Sequence, residues 1–273
     1  MRVRGMPAAL CAALAMTGCA AGGSEPPSWA DLRDDAARQS ARLGGDPVVA
    51  IVDSGVEDTH PALTGRIAAT WSAPGLPGSR SPHGTQIAGL IAGRPHAEFP
   101  GGPLDRARLL DVRVLDDAGQ AGPTTVADGV DWAVRSGAGY IVTSFGTRRD
   151  DPALSAAVAR AVGAGVVVVA AAGNGFGSFD FYPAAYPGVV AVTAHDGTGT
   201  RLAMANGRAA DLAAPGKDLL APSTGGRYEP VSGTSAATAV AAGVLAACGR
   251  PAGTGPTVSF PEGPVPALEC QQG

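Results

Sequence analysis

Beyond its N-terminal segment the sequence has no run of about 20 apolar residues, which excludes a transmembrane helix from the mature chain. Charge is scarce as well: 16% of the 273 residues are charged, against 45% hydrophobic. That balance excludes an intrinsically disordered chain and suits a globular core. The formal net charge of −4 leaves no basic excess to attract phosphates, so nucleic acid is not an expected partner. None of His60, His83, His96 and His195 stands at the spacing of a His-x-x-x-His metal motif. No internal repeat is visible. What the chain has in abundance is glycine (40) and proline (23), so many tight turns must join short elements. The length fits one large α/β domain or two small ones.

The N-terminus, residues 1–18, reads as an export signal. Arg2 and Arg4 supply its positive start, and Ala8 to Met16 a short apolar run. Met16-Thr17-Gly18-Cys19 resembles a bacterial lipobox, which implies acylation of Cys19 and anchoring to the membrane, at the outer membrane or cell surface. The alternative is ordinary cleavage after Ala20 or Ala21, giving a periplasmic or secreted protein. Cys11 leaves with the signal and Cys19 carries lipid, so Cys248 and Cys270 remain, an even number in an oxidising compartment. A bridge between them would pin the end of the chain and contribute ~3 kcal/mol. Two independent thiols are the other reading.

Residues 19–45 form a tether and a short helix. Ser28 is positioned to cap a helix from Trp29 to Leu43, with Trp29, Leu32 and Ala36 on one face. From residue 46 the pattern alternates strand and helix. Val48 to Val52, Leu109 to Leu115, Tyr140 to Thr143, Val166 to Ala171 and Val189 to Thr193 are apolar, β-branched runs, as expected of strands covered on both faces. Helices are expected over Gly84 to Ala92, Thr124 to Ser136, Pro152 to Val162 and Thr234 to Cys248. The fold class is therefore α/β, a mainly parallel sheet with helices on both faces, over residues 46–250. Chemistry in such sheets sits outside the carboxyl ends of the strands. Residues 251–273, rich in Pro and Gly, show no regular period and read as a tail.

Four residues stand where chemistry is expected. Asp53 follows the first apolar strand, and a carboxylate there is placed to orient a histidine; it also reads as a turn residue before Gly55. His83, in Ser-Pro-His-Gly-Thr, enters a helix whose Ile87, Ala88 and Ile91 are apolar, and most histidines so placed are structural. Ser235, in Val-Ser-Gly-Thr-Ser, opens an Ala-rich helix whose first-turn amides are unpaired. A serine there is usually an N-cap, yet its N–H also suits a developing oxyanion. Asn174 lies between Gly173 and Gly175, either as a turn residue or as a side-chain amide donor. Each signal is weak alone.

In the order Asp, His, Asn, Ser they resemble the subtilisin-like serine protease family. Asp-Ser-Gly-Val, His-Gly-Thr, Ala-Ala-Gly-Asn and Gly-Thr-Ser are similar to its four site segments. Ile141 to Gly146, Tyr182-Pro-Ala-Ala-Tyr-Pro187 and Asp211 to Gly216 resemble three further ones. The likeness covers about Val48 to Cys248. It departs at Gln86, Ala236 and Ala239, where the family commonly has His, Met and Pro; none of these is a reacting group.

The resemblance implies a monomeric serine endopeptidase acting on peptide or protein. Its triad would be Asp53, His83 and Ser235, with Asn174 stabilising the oxyanion. It implies no cofactor, since few acidic clusters resemble the family's calcium loops. Residues 20–46 are too short for a folding propeptide, so unaided folding is expected. Ser144, Phe145 and Gly146 would form one wall of the specificity pocket and Ala171, Ala172 and Gly173 the other. Phe181 would lie near its base, either filling it, so that small side chains are preferred, or turning into the core and leaving it broad. Two rival functions are a catalytically silent, surface-anchored binding protein on this scaffold, and a transpeptidase or macrocyclase.

Overall fold

The β-branched runs become one parallel sheet. The computed structural model describes residues 25–76, 81–175, 178–249 and 256–270. The sheet strands are β1 (Val48–Asp53), β2 (Ile67–Ser72), β3 (Arg108–Arg113), β4 (Tyr140–Thr143), β5 (Val167–Ala171), β6 (Val190–His195) and β7 (Leu212–Pro215). They lie in the order β2-β3-β1-β4-β5-β6-β7, and every neighbouring pair is parallel. The helices are α1 (Trp29–Ser40), α2 (Pro82–Ala92), α3 (Pro123–Arg135), α4 (Pro152–Gly163) and α5 (Thr234–Cys248).

Strand pleating sends successive side chains to opposite faces, and two cores result. Val49 and Ile51 of β1 join Leu32 of α1, Ile87 and Ile91 of α2 and Val240 of α5. Ala50 and Val52, one residue out of phase, join Val126 and Val130 of α3 and Leu154 and Val158 of α4. Helix α5 has apolar side chains all round, and every residue except Ser235 and Cys248 is buried, as such a helix requires. It runs between the sheet and helices α1 and α2. The chain leaves β1 toward β2 and β3 but leaves β4 toward β5, so the connections diverge between β1 and β4. A crevice outside the carboxyl ends of strands forms at such a point. Asp53 ends β1 and Ser144 follows β4, so both stand at it.

The expected tail is corrected. Residues 257–266 form a hairpin of β10 (Thr257–Phe260) and β11 (Gly263–Pro266), which comes after a second hairpin, β8 (Leu219–Ser223) and β9 (Arg227–Val231). Val258, Phe260, Val265, Ala267 and Leu268 are buried, and Leu268 N–H donates to Ala213 O of β7 at 2.8 Å. Four-residue strands with prolines at 264 and 266 are too short to display a period, so composition misled. Cys248 and Cys270 are joined, with an S–S distance of 2.01 Å and Cα atoms 5.4 Å apart. Helix α1 stops at Ser40, three residues before the expected Leu43, after Leu32, Ala36 and Ser40 have turned inward. Strands β2, β7, β8 and β9 were not anticipated. In β2, burial alternates between half-buried and exposed, and its Ile-Ala-Ala-Thr-Trp-Ser carries little polar contrast. Residues 1–18 and Cys19 lie outside the described residues, and among the described residues no helix is long and apolar enough to cross a membrane.

Candidate active site

Asp53 and His83 meet at the crevice. The Asp53 carboxylate is almost fully buried, and its oxygens lie 2.8 and 2.9 Å from His83 Nδ1. An ionised carboxylate only accepts hydrogen bonds, so Nδ1 carries the proton and Nε2 is left as the free acceptor. The Asp53 charge holds the imidazole above its ordinary pKa, against burial, which pulls it down. The His83 side chain keeps 31% of its surface exposed, so the ring is anchored on one edge and open on the other.

The local sequence fixes that arrangement. Ser81 caps α2 by accepting from His83 N–H, and Pro82 occupies the first turn, where its missing N–H costs nothing. Ser54 then ties strand to helix. Its N–H donates to Asp53 Oδ1 at 2.7 Å, its hydroxyl accepts from Gly84 N–H at 3.1 Å, and the same hydroxyl donates to Ser81 O at 3.4 Å.

Ser235 sits in the first turn of α5, where its N–H has no helical partner. Its hydroxyl donates to Ser144 O at 2.6 Å, and Ser144 Oγ returns a bond to Ser235 O at 3.2 Å. Among the described residues, the Ser235 hydroxyl forms no bond to His83. His83, Ser144 and Phe145 line one cavity of about 320 Å³, so the imidazole shares a space with the residue whose carbonyl accepts from the Ser235 hydroxyl. Asn174 is exposed, and its Oδ1 accepts from Thr234 N–H at 3.0 Å and Thr234 Oγ1 at 3.3 Å. With the oxygen so committed, the NH₂ group of the amide is the free donor. The loop carrying it is held by Gly175 N–H to Met204 O and Asn206 N–H to Gly173 O.

The two supposed pocket walls follow adjacent strands β4 and β5, and Phe181 packs against Gly146 and Gly173. Three features were missed. Ser54 had a signal, standing directly after Asp53. His60 accepts from Ala62 N–H at Nδ1 and lies 3.0 Å from Arg227 O at Nε2, joining the segment after Asp53 to β9. A cavity of about 510 Å³, lined by Leu115, Val126, Phe145, Leu154 and Tyr182 among others, draws on segments too far apart for any local pattern. It shares Leu115, Gly119 and Phe145 with the cavity at His83. No three His, Cys, Asp or Glu side chains cluster as a metal site among the described residues.

Known proteins resemble the chain in sequence and in fold. The model of the subtilase family matches residues 44–250. The chain is 36% identical to thermitase of Thermoactinomyces vulgaris over 217 residues, 77% of this chain and 78% of that protein. It is 33% identical to subtilisin amylosacchariticus of Bacillus subtilis subsp. amylosacchariticus over 234 residues, 82% of this chain but 60% of the relative. Among solved structures, the prenylagaramide maturation protease PagA superposes with a TM-score of 0.69 at 31% identity, covering 78% of this chain and 79% of that one. A family model covering most of the chain and two extensive alignments above 30% identity leave one conclusion: the chain belongs to the subtilase family.

Proposed function

We propose that the protein is a serine endopeptidase in which Asp53, His83 and Ser235 form the triad. The observation that carries this is the buried Asp53 carboxylate on His83 Nδ1, with the imidazole lining the same cavity as Ser144, whose carbonyl accepts from the Ser235 hydroxyl. Rotation about one side-chain bond takes the Ser235 hydroxyl off Ser144 O, and catalytic hydrogen bonds commonly tighten only when substrate is present. Oγ attacks the peptide carbonyl as its proton passes to His83 Nε2, while Asp53 stabilises the imidazolium. The Asn174 NH₂ group and the Ser235 N–H receive the oxyanion. The proton then passes to the departing amine, and water releases the acyl group by the same steps.

One observation favours a second reading: the Ser235 hydroxyl bonds to Ser144 O, as it would in a silent binding scaffold. An active-site fluorophosphonate separates the two. The folded wild type should be labelled and Ser235→Ala should not; no labelling of folded wild type establishes the silent scaffold. Cys19 we propose as a lipid anchor, on the sequence resemblance alone. Cys19→Ala should move the protein from the membrane to the soluble fraction, and an unchanged distribution would rule the anchor out.

A further inference from the structure

We infer that Phe181 plugs the space beside Ser235 that receives the acyl-side residue of the substrate, so that the enzyme cleaves after Gly, Ala or Ser and rejects large side chains there. This rests on the peptidase reading above.

The location of the space follows from the contacts of the nucleophile. Ser235 Oγ touches Ser144 O on one side, and Asn174 on the other side bonds to Thr234, the residue before the nucleophile. A carbonyl carbon bonded to Ser235 Oγ, with its oxygen toward Asn174, therefore lies between the segment leaving β4 and the segment leaving β5. The gap between residues 144–146 and 171–173 adjoins that position, and it is the space assigned here to the side chain.

That gap is occupied. A Cβ built on Gly146 would lie 2.6 Å from Phe181 Cε1, and one on Gly173 would lie 2.8 Å from Phe181 Cγ. Real Cβ atoms do not approach so closely, so the ring rests directly on both glycine backbones and both positions exclude any larger residue. Gly173 also has a φ of +98°, which side-chain-bearing residues rarely adopt. The ring has little freedom to leave. Thr147 N–H donates to Tyr182 O at 2.9 Å and Tyr182 N–H to Thr147 O at 2.8 Å, while Ala185 N–H donates to Phe181 O. Phe179 stands edge-on to the ring, 6.0 Å away, and is itself covered by the Arg148 guanidinium at 3.8 Å. Asn206 Nδ2 holds Phe179 O at 2.7 Å. The plug is pinned by backbone on both sides and by a neighbouring ring above.

A side chain larger than Ala or Ser would have to displace a phenyl ring whose backbone is fixed, and overpacking of this kind translates into discrimination of about tenfold to a hundredfold. The test compares kcat/KM for peptides differing only in Ala or Phe at the cleaved position, for wild type, Phe181→Ala and Phe181→Leu. Wild type should favour Ala. Phe181→Ala should move the Ala:Phe ratio toward Phe by about tenfold to a hundredfold, and Phe181→Leu, which keeps most of the packing should the smaller variant fail to fold, should move it less in the same direction. If Ala peptides are cleaved and the ratio stays fixed in the folded variants, or if wild type already favours Phe, the plug is overturned and the peptidase reading stands. If neither peptide is cleaved and fluorophosphonate does not label the protein, both fall together.

Discussion

The two halves of the site are built by different means. Asp53 and His83 are joined side chain to side chain, a buried carboxylate against an imidazole, with Ser54 locking strand to helix around them. Ser235 and Asn174 are each committed to backbone-directed contacts, the serine to Ser144 O and the amide oxygen to Thr234 N–H. The first half is set before substrate arrives, by charge. The second half is held by the entrance of α5, and the groups proposed to react are those left over, one hydroxyl that must turn and one NH₂ group. It follows that variants in the first half should act through the base, whereas those in the second should separate capping from chemistry.

The largest effect is expected at Ser235, the proposed nucleophile. Ser235→Ala should lower turnover about 10⁶-fold, the scale of the same loss in subtilisin, with thermal unfolding little changed because only one half-exposed oxygen is removed. Active-site titration alongside the rate measurement guards against trace wild type. Asp53→Asn should cost about 10⁴-fold by favouring the wrong imidazole tautomer. Asn174→Ala should cost about 10²–10³-fold in kcat, a magnitude known from subtilisin itself, and also about 1 kcal/mol of stability from the lost hydrogen bonds of Thr234. Asn174→Asp separates the two roles, because it keeps an acceptor for Thr234 N–H and removes the donor. It should unfold at the wild-type temperature and still lose the rate. A folded Asn174→Asp enzyme with wild-type kcat would abolish the distinction between the halves.

The sheet was legible because its strands are covered on both faces and so read as continuous apolar runs. Val48–Val52 and Tyr140–Thr143 need no context to be recognised. The edges were not: β2 alternates burial without alternating polarity, and β10–β11 are four residues long with prolines in them. Within the site, Asp53, His83, Ser235 and Asn174 were each ambiguous in isolation and gained meaning from their order along the chain. What order cannot give is the orientation of a side chain. Whether Phe181 faces the gap or the core, and which partner the Ser235 hydroxyl takes, depend on the bridge between Thr147 and Tyr182 and on Ser144 O, both contacts between segments far apart in sequence.

The last prediction uses a histidine outside both halves. His195, at the end of β6, is buried and accepts from Gly197 N–H at 3.1 Å through Nδ1, and burial drives its pKa down to about 4. His83 is raised instead, by the Asp53 charge. The two should therefore respond to pH with opposite sign. Protonated His83 favours the folded state, a contribution complete below the unfolded value near 6.5 and lost as pH rises through the folded pKa. The same shift places the acid limb of kcat/KM above 6.5, since His83 must be neutral to accept a proton. His195 binds its proton more readily unfolded than folded, so its contribution is present above about 6.5 and lost as pH falls toward about 4. Over that interval of about 2.5 pH units the loss is about 3 kcal/mol. Asn at this position can accept from Gly197 N–H without titrating. Denaturant unfolding of wild type and His195→Asn at pH 7 and pH 4 should show an acid loss smaller by about 3 kcal/mol in the variant, with the acid limb of activity unmoved. An equal loss in both proteins would show that His195 is not the group that destabilises the fold in acid.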